Sequence, residues 1–189
     1  MKWTIPGTTL VANREDAPYV ENHFRTLFGA GGLVLSQVAI LTGLEPYAIQ
    51  NWVKRGFLTK PEHKRYTQSQ VCRILIINML KATVPMEQIC QLLEYINGEL
   101  DDAGDDLVDD AYLYFHFVRL AARARYIGGY QSWDEALVEV TEDYREPEPG
   151  AREKLVMVLR IMLTAWVAAQ LKLQTEKMIQ QIQEMDIQR

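Results

Sequence analysis

The C-terminal stretch of this chain, residues 151–189, contains neither proline nor glycine, and this absence constrains the fold more than any other feature. An EPEPG run at residues 146–150 breaks the chain just before it. Residues 151 to about 186 therefore predict one continuous helix, which would reach roughly 50 Å at about 1.5 Å per residue. Shorter helical patterns precede it, so we predict a mainly α-helical protein with a long terminal helix.

The apolar residues of this predicted helix are distributed differently along its two halves. The first half is apolar nearly all round, which predicts that one flank packs against the body of the protein. Its apolar residues are Leu155, Val156, Val158, Leu159, Ile161, Met162, Leu163, Trp166 and Val167. A narrower stripe follows, made of Leu171, Met178, Ile182 and Met185. The stripe favours pairing with another helix, such as that of a second copy; folding back onto its own domain is the alternative.

Composition places the chain among ordinary globular proteins. Of its 189 residues, 48% are hydrophobic and 24% are charged, which excludes wholesale disorder. The N-terminus lacks the apolar core of a signal peptide. The most apolar stretch, residues 155–169, contains Arg160 and is shorter than the roughly 20 residues of a membrane span. We therefore expect a soluble, cytoplasmic protein with no membrane partner, in which Cys72 and Cys90 are structural or inert thiols.

The segment from residue 35 carries the start and stop signals of two short helices. Ser36 is a suitable N-cap residue, and Gly43 ends the first apolar pattern. Pro46 suits the first turn of a second helix, which ends at Gly56. Two short helices joined by a tight turn that contains glycine predict a helix-turn-helix. An ordinary helical hairpin in a core is the alternative.

A small β-hairpin wing and two further helices are predicted next. The FL pair at residues 57–58 and the RY pair at residues 65–66 flank a short polar and basic tip, as the two strands of a wing would. Thr67 and Gln70 have the spacing of a capping box and open one helix. Pro85 opens the other.

Positive charge is concentrated in one part of an otherwise acidic chain. The net charge is −5, yet residues 33–96 sum to +3 and residues 97–189 to −8. Residues 47–66 contain five basic side chains and a single acidic one, Glu62. An acidic protein can bind a polyanion when its positive charge is focused on one face. The segment is therefore either a nucleic-acid-binding surface or a solvated basic loop.

The run LSQVAILTGLEPYAIQNWVKRGFL, followed by KRYTQSQVCRILIINMLKATVPMEQICQLL, resembles the DNA-binding head of the MerR family of bacterial transcription regulators. It is more similar still to an uncharacterised bacterial family with the same head and no assigned function. The shared features are a helix-turn-helix, a short wing that ends in a basic residue and tyrosine, and two helices. The resemblance implies a winged helix-turn-helix whose second helix enters the major groove. The residue patterns after it predict an all-helical C-terminal region.

The resemblance, together with the basic side chains of the predicted wing, supplies candidate DNA-binding residues. They are Tyr47, Gln50, Asn51, Lys54, Arg55, Lys60, Lys64, Arg65 and Tyr66. In this scheme the helix of residues 46–54 reads bases, whereas the basic wing residues bind backbone phosphates. Gln and Asn pair bidentately with adenine, and Lys and Arg bind guanine or phosphate. Gln50 stands where the family usually has Arg, which implies weaker binding, and on the residues alone Gln50 and Asn51 are either base readers or merely exposed.

The remaining segments predict the domain organisation. Residues 1–32 form an N-terminal extension with one short helix over residues 17–28, and residues 33–96 form the winged head. Residues 97–110 are an acidic linker, whose charges lack the order of a calcium loop. Residues 111–189 form a helical region for dimerisation or sensing.

Two further helices are predicted in that region. An aromatic helix runs over residues 109–127, with Asp109 at its start. A helix of this kind usually lies in a core. The alternative is that it lines a pocket for an effector. The residues of that pocket would be Tyr112, Phe115 and His116. Ser132 and Glu135 have capping-box spacing and open a helix that ends near residue 144.

These features favour a sequence-specific, MerR-like transcriptional regulator that binds double-stranded DNA as a homodimer, with an unknown small-molecule effector as an option. The alternative is a non-enzymatic protein-interaction module that keeps the winged-helix fold without binding DNA. We expect no enzyme, no cofactor and no metal site. The sequence displays no phosphate loop, and spacing identifies no partner for any of the three histidines, His23, His63 and His116.

Overall fold

The computed structural model describes residues 2–98, 100, 107–124 and 129–187, with the backbone alone for residues 129–132 and 186–187. Most of the described residues lie in helices, and the strands described form only two short two-stranded pairs. The protein is therefore mainly α-helical, as predicted.

The chain begins with a β-hairpin that the sequence did not suggest. Strand β1 (Lys2–Thr4) pairs antiparallel with strand β2 (Val11–Asn13). Strands of three residues are too short to show an alternating pattern, which is why they were missed. A 3-10 helix, Arg14–Tyr19, leads into helix α1 (Val20–Phe28), and this confirms the short helix predicted near residues 17–28.

Two short helices joined by a three-residue turn follow, as predicted. Strand β3 (Leu33–Val34) runs into helix α2 (Leu35–Thr42), which Gly43 ends in the left-handed conformation with φ 69°. Helix α3 (Pro46–Lys54) begins with its proline. The predicted N-cap was wrong, because Ser36 lies in the first turn of α2 rather than before it.

The predicted wing hairpin was wrong in its pairing. Strand β4 (Arg65–Tyr66) pairs antiparallel with β3 rather than with residues 57–58. Leu58 is only 3% exposed, so this segment is held in the core and is not free to form an outer strand. What remains of the wing is a tight turn in which the Arg65 N–H donates to the Glu62 carbonyl at 2.8 Å.

The next two helices agree with their predicted signals. Helix α4 (Gln68–Leu80) starts at the predicted capping box, in which the Gln70 N–H donates to Oγ1 of Thr67 and the Thr67 N–H donates to Oε1 of Gln70. Helix α5 (Met86–Asn97) begins directly after Pro85.

Three helices complete the chain. Helix α6 (Asp110–Arg123) starts as predicted, because the Asp109 carboxylate accepts the Tyr112 N–H at 2.7 Å. The helix ends at Arg123, because the backbone of Ala124 is extended with φ −61° and ψ 119°, so the predicted end near residue 127 was wrong. Residues 125–128 lie outside the described residues. Helix α7 spans Gly129–Val140 and helix α8 spans Ala151–Ile187.

The predicted long terminal helix is thus confirmed, whereas the bounds of α7 were wrong. This helix begins before residue 132, whose side chain lies outside the described residues, and it ends four residues before Tyr144. The Tyr144 hydroxyl instead donates to the Leu107 carbonyl at 2.9 Å, so its segment is a turn that packs against the start of the α6 region.

One hydrophobic core runs through all of these elements. Helix α4 lies at its centre and packs most extensively against α6, and α8 contacts α4, α5, α6 and α7. The hairpin loop also enters this core, because a Cβ atom on Gly7 would lie 2.4 Å from the Leu75 carbonyl oxygen of α4. The packing is continuous across the predicted domain boundaries, and those boundaries stay predictions.

Part of the predicted acidic linker, residues 99 and 101–106, lies outside the described residues. The chain on either side of it is held together by hydrogen bonds. The Leu107 N–H donates to the Ile96 carbonyl at 3.1 Å, and Nδ2 of Asn97 donates to the Val108 carbonyl at 2.6 Å.

Helix α8 has, over Ala151–Met185, the length and composition that would suffice to cross a membrane. In its most apolar window, however, 44% of the residues are buried within the protein. Leu155, Leu159 and Met162 have no exposed surface, as is typical of a core helix. The absence of a membrane partner stays an expectation.

Candidate nucleic-acid interface

Helix α3 has two faces of different chemistry. Ile49 is 0% and Trp52 is 6% exposed, and these two side chains attach the helix to the core. The opposite face is exposed and polar or basic. Its side chains are Tyr47, Gln50, Asn51 and Lys54, which recur at the three- and four-residue spacing of one helix face. The structure therefore brings four of the predicted contact residues together on one accessible surface.

Arg55, directly after α3, is held at the edge of this surface. Its guanidinium carbon lies 4.5 Å from the centroid of the Phe57 ring, and Nη2 lies 3.6 Å from Oε1 of Glu87 in α5. Both charged side chains are more than half exposed, so the pair contributes at most about 1 kcal/mol. A phosphate can therefore replace Glu87 as the partner of Arg55 at little cost.

The tight turn between Glu62 and Arg65 exposes further basic groups. Its two central residues, His63 and Lys64, have φ angles of 47° and 63°. The left-handed region costs a residue with a Cβ atom roughly 1 kcal/mol or more, and such strain tends to occur at functional sites. Lys60, Lys64 and Arg65 are all exposed. Nη1 of Arg65 also donates to the Gly32 carbonyl at 2.9 Å, which orients its guanidinium group.

Tyr66 is placed in the core, so its prediction as a surface contact is corrected. It is 3% exposed, and burial raises the pKa of its hydroxyl. Successive side chains of a strand point to opposite sides, so the outward position of Arg65 puts Tyr66 inward.

Two residues near these groups were not predicted. His63 occupies the exposed tip of the turn. Nζ of Lys81 lies 5.7 Å from the centroid of the Trp52 ring, and burial lowers the pKa of this lysine. Lys81 lies at the far end of α4, and only tertiary packing brings it against α3. No pattern in the sequence of α3 or of the tight turn predicts that Lys81 lies beside them.

The hairpin loop and α4 position α2, the helix before α3. The Thr9 N–H donates to the Leu41 carbonyl at 2.9 Å, and Oγ1 of Thr9 donates to the Ile40 carbonyl at 2.9 Å. Nδ2 of Asn78 in α4 donates to both the Gly7 and the Thr42 carbonyls, each at 2.9 Å. The C-terminal end of α2 is therefore hydrogen-bonded to the loop and, through Asn78, to the core.

A buried ion pair joins the segment after α3 to α6. Nη1 of Arg73 lies 3.3 Å from Oδ2 of Asp110, with side-chain exposures of only 6% and 12%. Nε of Arg73 also donates to the Phe57 carbonyl at 3.2 Å. Desolvation raises the pKa of Asp110, and the charge of Arg73 opposes that shift. This pair fixes residue 57 relative to the C-terminal helices.

The three residues of the predicted effector pocket have different surroundings. The rings of Tyr112 and His116 stack with centroids 3.7 Å apart. Phe115 instead packs edge-on against Phe24 of α1, at 5.4 Å. Phe115 is thus separated from the other two by its role in the core, and the pocket stays a prediction.

His116 belongs to a polar cluster at the α6–α7 contact. Its Nδ1 lies 2.8 Å from the Tyr112 carbonyl, so Nδ1 carries the proton and Nε2 accepts a hydrogen bond from Nη2 of Arg119. Oδ1 of Asp143 lies 3.2 Å from the same Nε2. Burial lowers the pKa of His116, and the charge of Arg119 adds to the effect. Protonation of His116 would therefore break the Arg119 contact.

The cysteines are free thiols, and burial raises the pKa of both Cys72 and Cys90. A raised thiol pKa disfavours the nucleophilic thiolate. Among the described residues, no group of three or more His, Cys, Asp or Glu side chains is placed to hold a metal ion.

Comparison with known proteins identifies a family without an assigned function. Residues 33–115 match the family described as a domain of unknown function, DUF1836. Over 84 residues the chain is 32% identical to the uncharacterized protein YkrK of Bacillus subtilis (strain 168), an alignment that covers 42% of this chain and 36% of that protein. No solved structure matches the chain. Residues 33–115, which include both short helices and the tight turn, are therefore similar to an uncharacterised bacterial family, as the sequence predicted.

Proposed function

We propose that this protein is a sequence-specific DNA-binding regulator with a MerR-like winged helix-turn-helix head. The observation that carries the proposal is the exposed polar and basic face of α3, held outward by Ile49 and Trp52 in the core. Water can hydrogen-bond to the polar side chains of such a face, so the stability of the fold does not require them. Their combination of amide and cationic groups matches the donors and acceptors of base edges and phosphates.

In this mechanism α3 enters the major groove. Gln50 and Asn51 pair with adenine edges, and Lys54 binds guanine or a phosphate. Basic groups around the turn hold the DNA backbone, with Arg65 oriented by the Gly32 carbonyl. Arg55 exchanges Glu87 for a phosphate, because its existing ion pair is exposed and weak.

A homodimer is the second part of the proposal, and the outer surface of α8 supports it. Exposed residues recur along this helix at alternating spacings of four and three, which is a heptad repeat of a and d positions. We call them the α8 seam: Met157, Ile161, Thr164, Ala168, Leu171, Thr175, Met178, Ile182 and Met185. The hydroxyls of Thr164 and Thr175 donate to carbonyls one turn earlier, so both threonines can pack as small apolar groups.

Two seams packed together would remove this apolar stripe from water. The side chains of residues 171–185 are all exposed, which supports this pairing over a distal half that folds back on its own domain. A symmetric dimer would present two copies of α3 to a two-fold operator. The acidic C-terminal region repels DNA, which favours its placement away from the bound duplex.

Selection of bound duplexes from a random DNA pool tests the proposal and yields the operator. Affinity for the selected duplex is then measured by fluorescence anisotropy over a range of salt concentrations. We expect the logarithm of affinity to fall linearly with the logarithm of salt, by about 0.9 for each phosphate contact. Lys60→Ala or Lys64→Ala should each reduce this slope by about one.

The double variant Gln50→Ala/Asn51→Ala tests base reading. It should retain the fold and bind duplexes with little preference for the selected sequence. Its matched control is Gln180→Ala/Gln183→Ala, which removes two exposed amides from the far end of α8. An unchanged preference in the α3 variant would refute the assignment of α3 as the recognition helix.

The interaction-module alternative makes the opposite prediction about DNA. A chain that binds no duplex even at low salt would refute the regulator and favour a protein partner for the α3 surface.

A further inference from the structure

A groove on the opposite side of α8 from the seam has an aromatic floor and two lysines at its rim. The groove has a volume of about 580 Å³ and lies between the N-terminal hairpin, α4 and α8. Its apolar lining includes Trp3, Met79, Trp166 and Leu173. The rings of Trp3 and Trp166 meet edge to face, with centroids 6.3 Å apart. This volume lies within the roughly 300–1,000 Å³ typical of small-molecule sites.

The charged residues on the rim of this groove differ from the rest of the C-terminal region. Lys172 and Lys177 line the groove, and neither forms an ion pair with a described residue, although Glu176 lies between them in the sequence. Five other basic residues of the C-terminal helices all pair with carboxylates. They are Arg119, Arg123, Arg152, Lys154 and Arg160. The C-terminal region has a surplus of acidic groups, yet the structure describes no carboxylate paired with these two ammonium groups. Two ammonium groups beside an apolar groove are complementary to an anion with an apolar body.

We propose that this groove binds a small amphipathic anion, with its apolar or aromatic body against Trp3 and Trp166 and its carboxylate, sulfonate or phosphate group between Lys172 and Lys177. A second copy of the chain is a poorer occupant. At 100° per residue, the groove-lining Leu173 and Ala169 lie on the side of α8 turned away from the seam. Packing of two seams therefore leaves the groove open.

The groove also adjoins the part of the molecule that holds α2. Gly7 and Asn78 line it, and Nδ2 of Asn78 bonds the carbonyls of both Gly7 and Thr42. A ligand that shifts the hairpin loop or Asn78 would therefore move the C-terminal end of α2. This coupling rests on the proposed function, whereas the binding site itself does not.

The probe for the site is 1-anilinonaphthalene-8-sulfonate, which joins an aromatic body to one anionic group. The full-length protein should bind one probe per chain, measured by its fluorescence and by calorimetry. The double variant Lys172→Gln/Lys177→Gln should weaken this binding about tenfold or more, because two charge-assisted contacts are lost. Neutral N-phenyl-1-naphthylamine, which has the same rings without the sulfonate, should bind both proteins with equal affinity.

Two further variants separate charge from shape. Lys54→Gln/Lys60→Gln removes the same charge from the proposed DNA-binding surface and should leave the affinity for the sulfonate unchanged. Ala169→Trp fills the groove and should weaken the binding of both probes. Non-saturable binding, or an affinity for the sulfonate that Lys172→Gln/Lys177→Gln does not change, would overturn the proposal. Probe affinity that falls as the protein concentration rises would also overturn it, because a second copy would then occupy the groove.

The coupling is tested on the selected DNA duplex. A saturating concentration of the sulfonate should change the affinity of the wild type for DNA and leave that of Lys172→Gln/Lys177→Gln unchanged. An unchanged wild-type affinity would refute the coupling but not the site. A protein that binds no DNA would refute the proposed function, and the probe titrations would still decide whether the groove is a binding site.

Discussion

The two halves of α8 form one continuous helix and yet differ in what surrounds them. In the proximal half, residues 151–167, Leu155, Leu159 and Met162 have no exposed surface and contribute to the core. In the distal half, residues 168–187, the described side chains from 171 onward are all exposed. Leu171 is 51% and Ile182 is 56% exposed, so the apolar residues of this half have water as their neighbour.

The difference shows that helix formation and helix burial are separate properties of the sequence. The absence of proline and glycine makes both halves helical. Burial follows the width of the apolar surface, which surrounds most of the proximal half and narrows to the seam in the distal half. The proximal half is thus part of the folded unit, whereas the distal half extends beyond it with its apolar stripe exposed.

The largest expected effect comes from shortening a leucine in each half. Leu159→Ala removes a side chain with no exposed surface and should lower the free energy of unfolding by about 2–5 kcal/mol. Leu171→Ala is the matched control in the distal half, and at dilute protein concentration it should change stability by less than about 0.5 kcal/mol. Urea unfolding followed by circular dichroism measures both. Equal losses would show that the distal half is also packed in the monomer.

Charges placed on the seam should have the next largest effect, on assembly rather than on folding. Met178→Glu/Ile182→Glu would place like charges at facing positions of a dimer, so the dissociation constant should rise about a hundredfold or more. Gln180→Glu/Gln183→Glu adds the same charge away from the seam and should leave the mass measured by light scattering unchanged. A seam variant that remains fully dimeric would mean that the chains associate through another surface.

A change in pH should affect the anchorage of the proximal half through His116. Arg152 of α8 donates to the Thr141 and Tyr144 carbonyls and so holds the segment that places Asp143 beside His116. The pKa of His116 is lowered in the folded state, so the unfolded chain binds protons first as the pH falls below about 6.5. Above about pH 6.5, His116 should therefore not affect the free energy of unfolding. That free energy should decrease as the pH falls from about 6.5 to the pKa of His116 in the folded state.

The contribution of His116 is the difference between the wild type and His116→Gln. Gln cannot titrate, so the fall in unfolding free energy between pH 6.5 and the folded pKa should be smaller in the variant. Desolvation raises the pKa of Asp143, but its contact with His116 outweighs that effect, so the pKa is lowered overall. Asp143 therefore affects stability only below its ordinary pKa of 3.8. Parallel pH profiles of wild type and variant would exclude His116 as the source.

Much of the local structure was predictable because each signal acts within a few residues. Gly43, the Thr67–Gln70 capping box and Asp109 each mark a helix end through a contact with a nearby backbone group. The exposed residues of α3 were predictable for a similar reason, since the helical repeat separates them from Ile49 and Trp52.

The errors share a different cause, which is competition from distant parts of the chain. Residue Arg65 pairs with Val34 rather than with the nearer FL pair, because Leu58 is drawn into the core. Tyr66 follows from that pairing and points inward. Lys81 reaches Trp52 only because α4 packs behind α3. No residue pattern within these segments predicts the contacts, because each partner lies in a distant part of the chain.

By itself, the sequence determined the helical class, most helix ends, the separation of positive from negative charge and the uninterrupted final helix. These depend on backbone conformations and on spacings of one or two turns. Only the tertiary structure decided that the N-terminal hairpin holds α2 through Thr9 and Asn78, and that Lys172 and Lys177 border a groove floored by Trp3 and Trp166. Such sites join residues far apart in the chain, and only the burial of a common core brings them together.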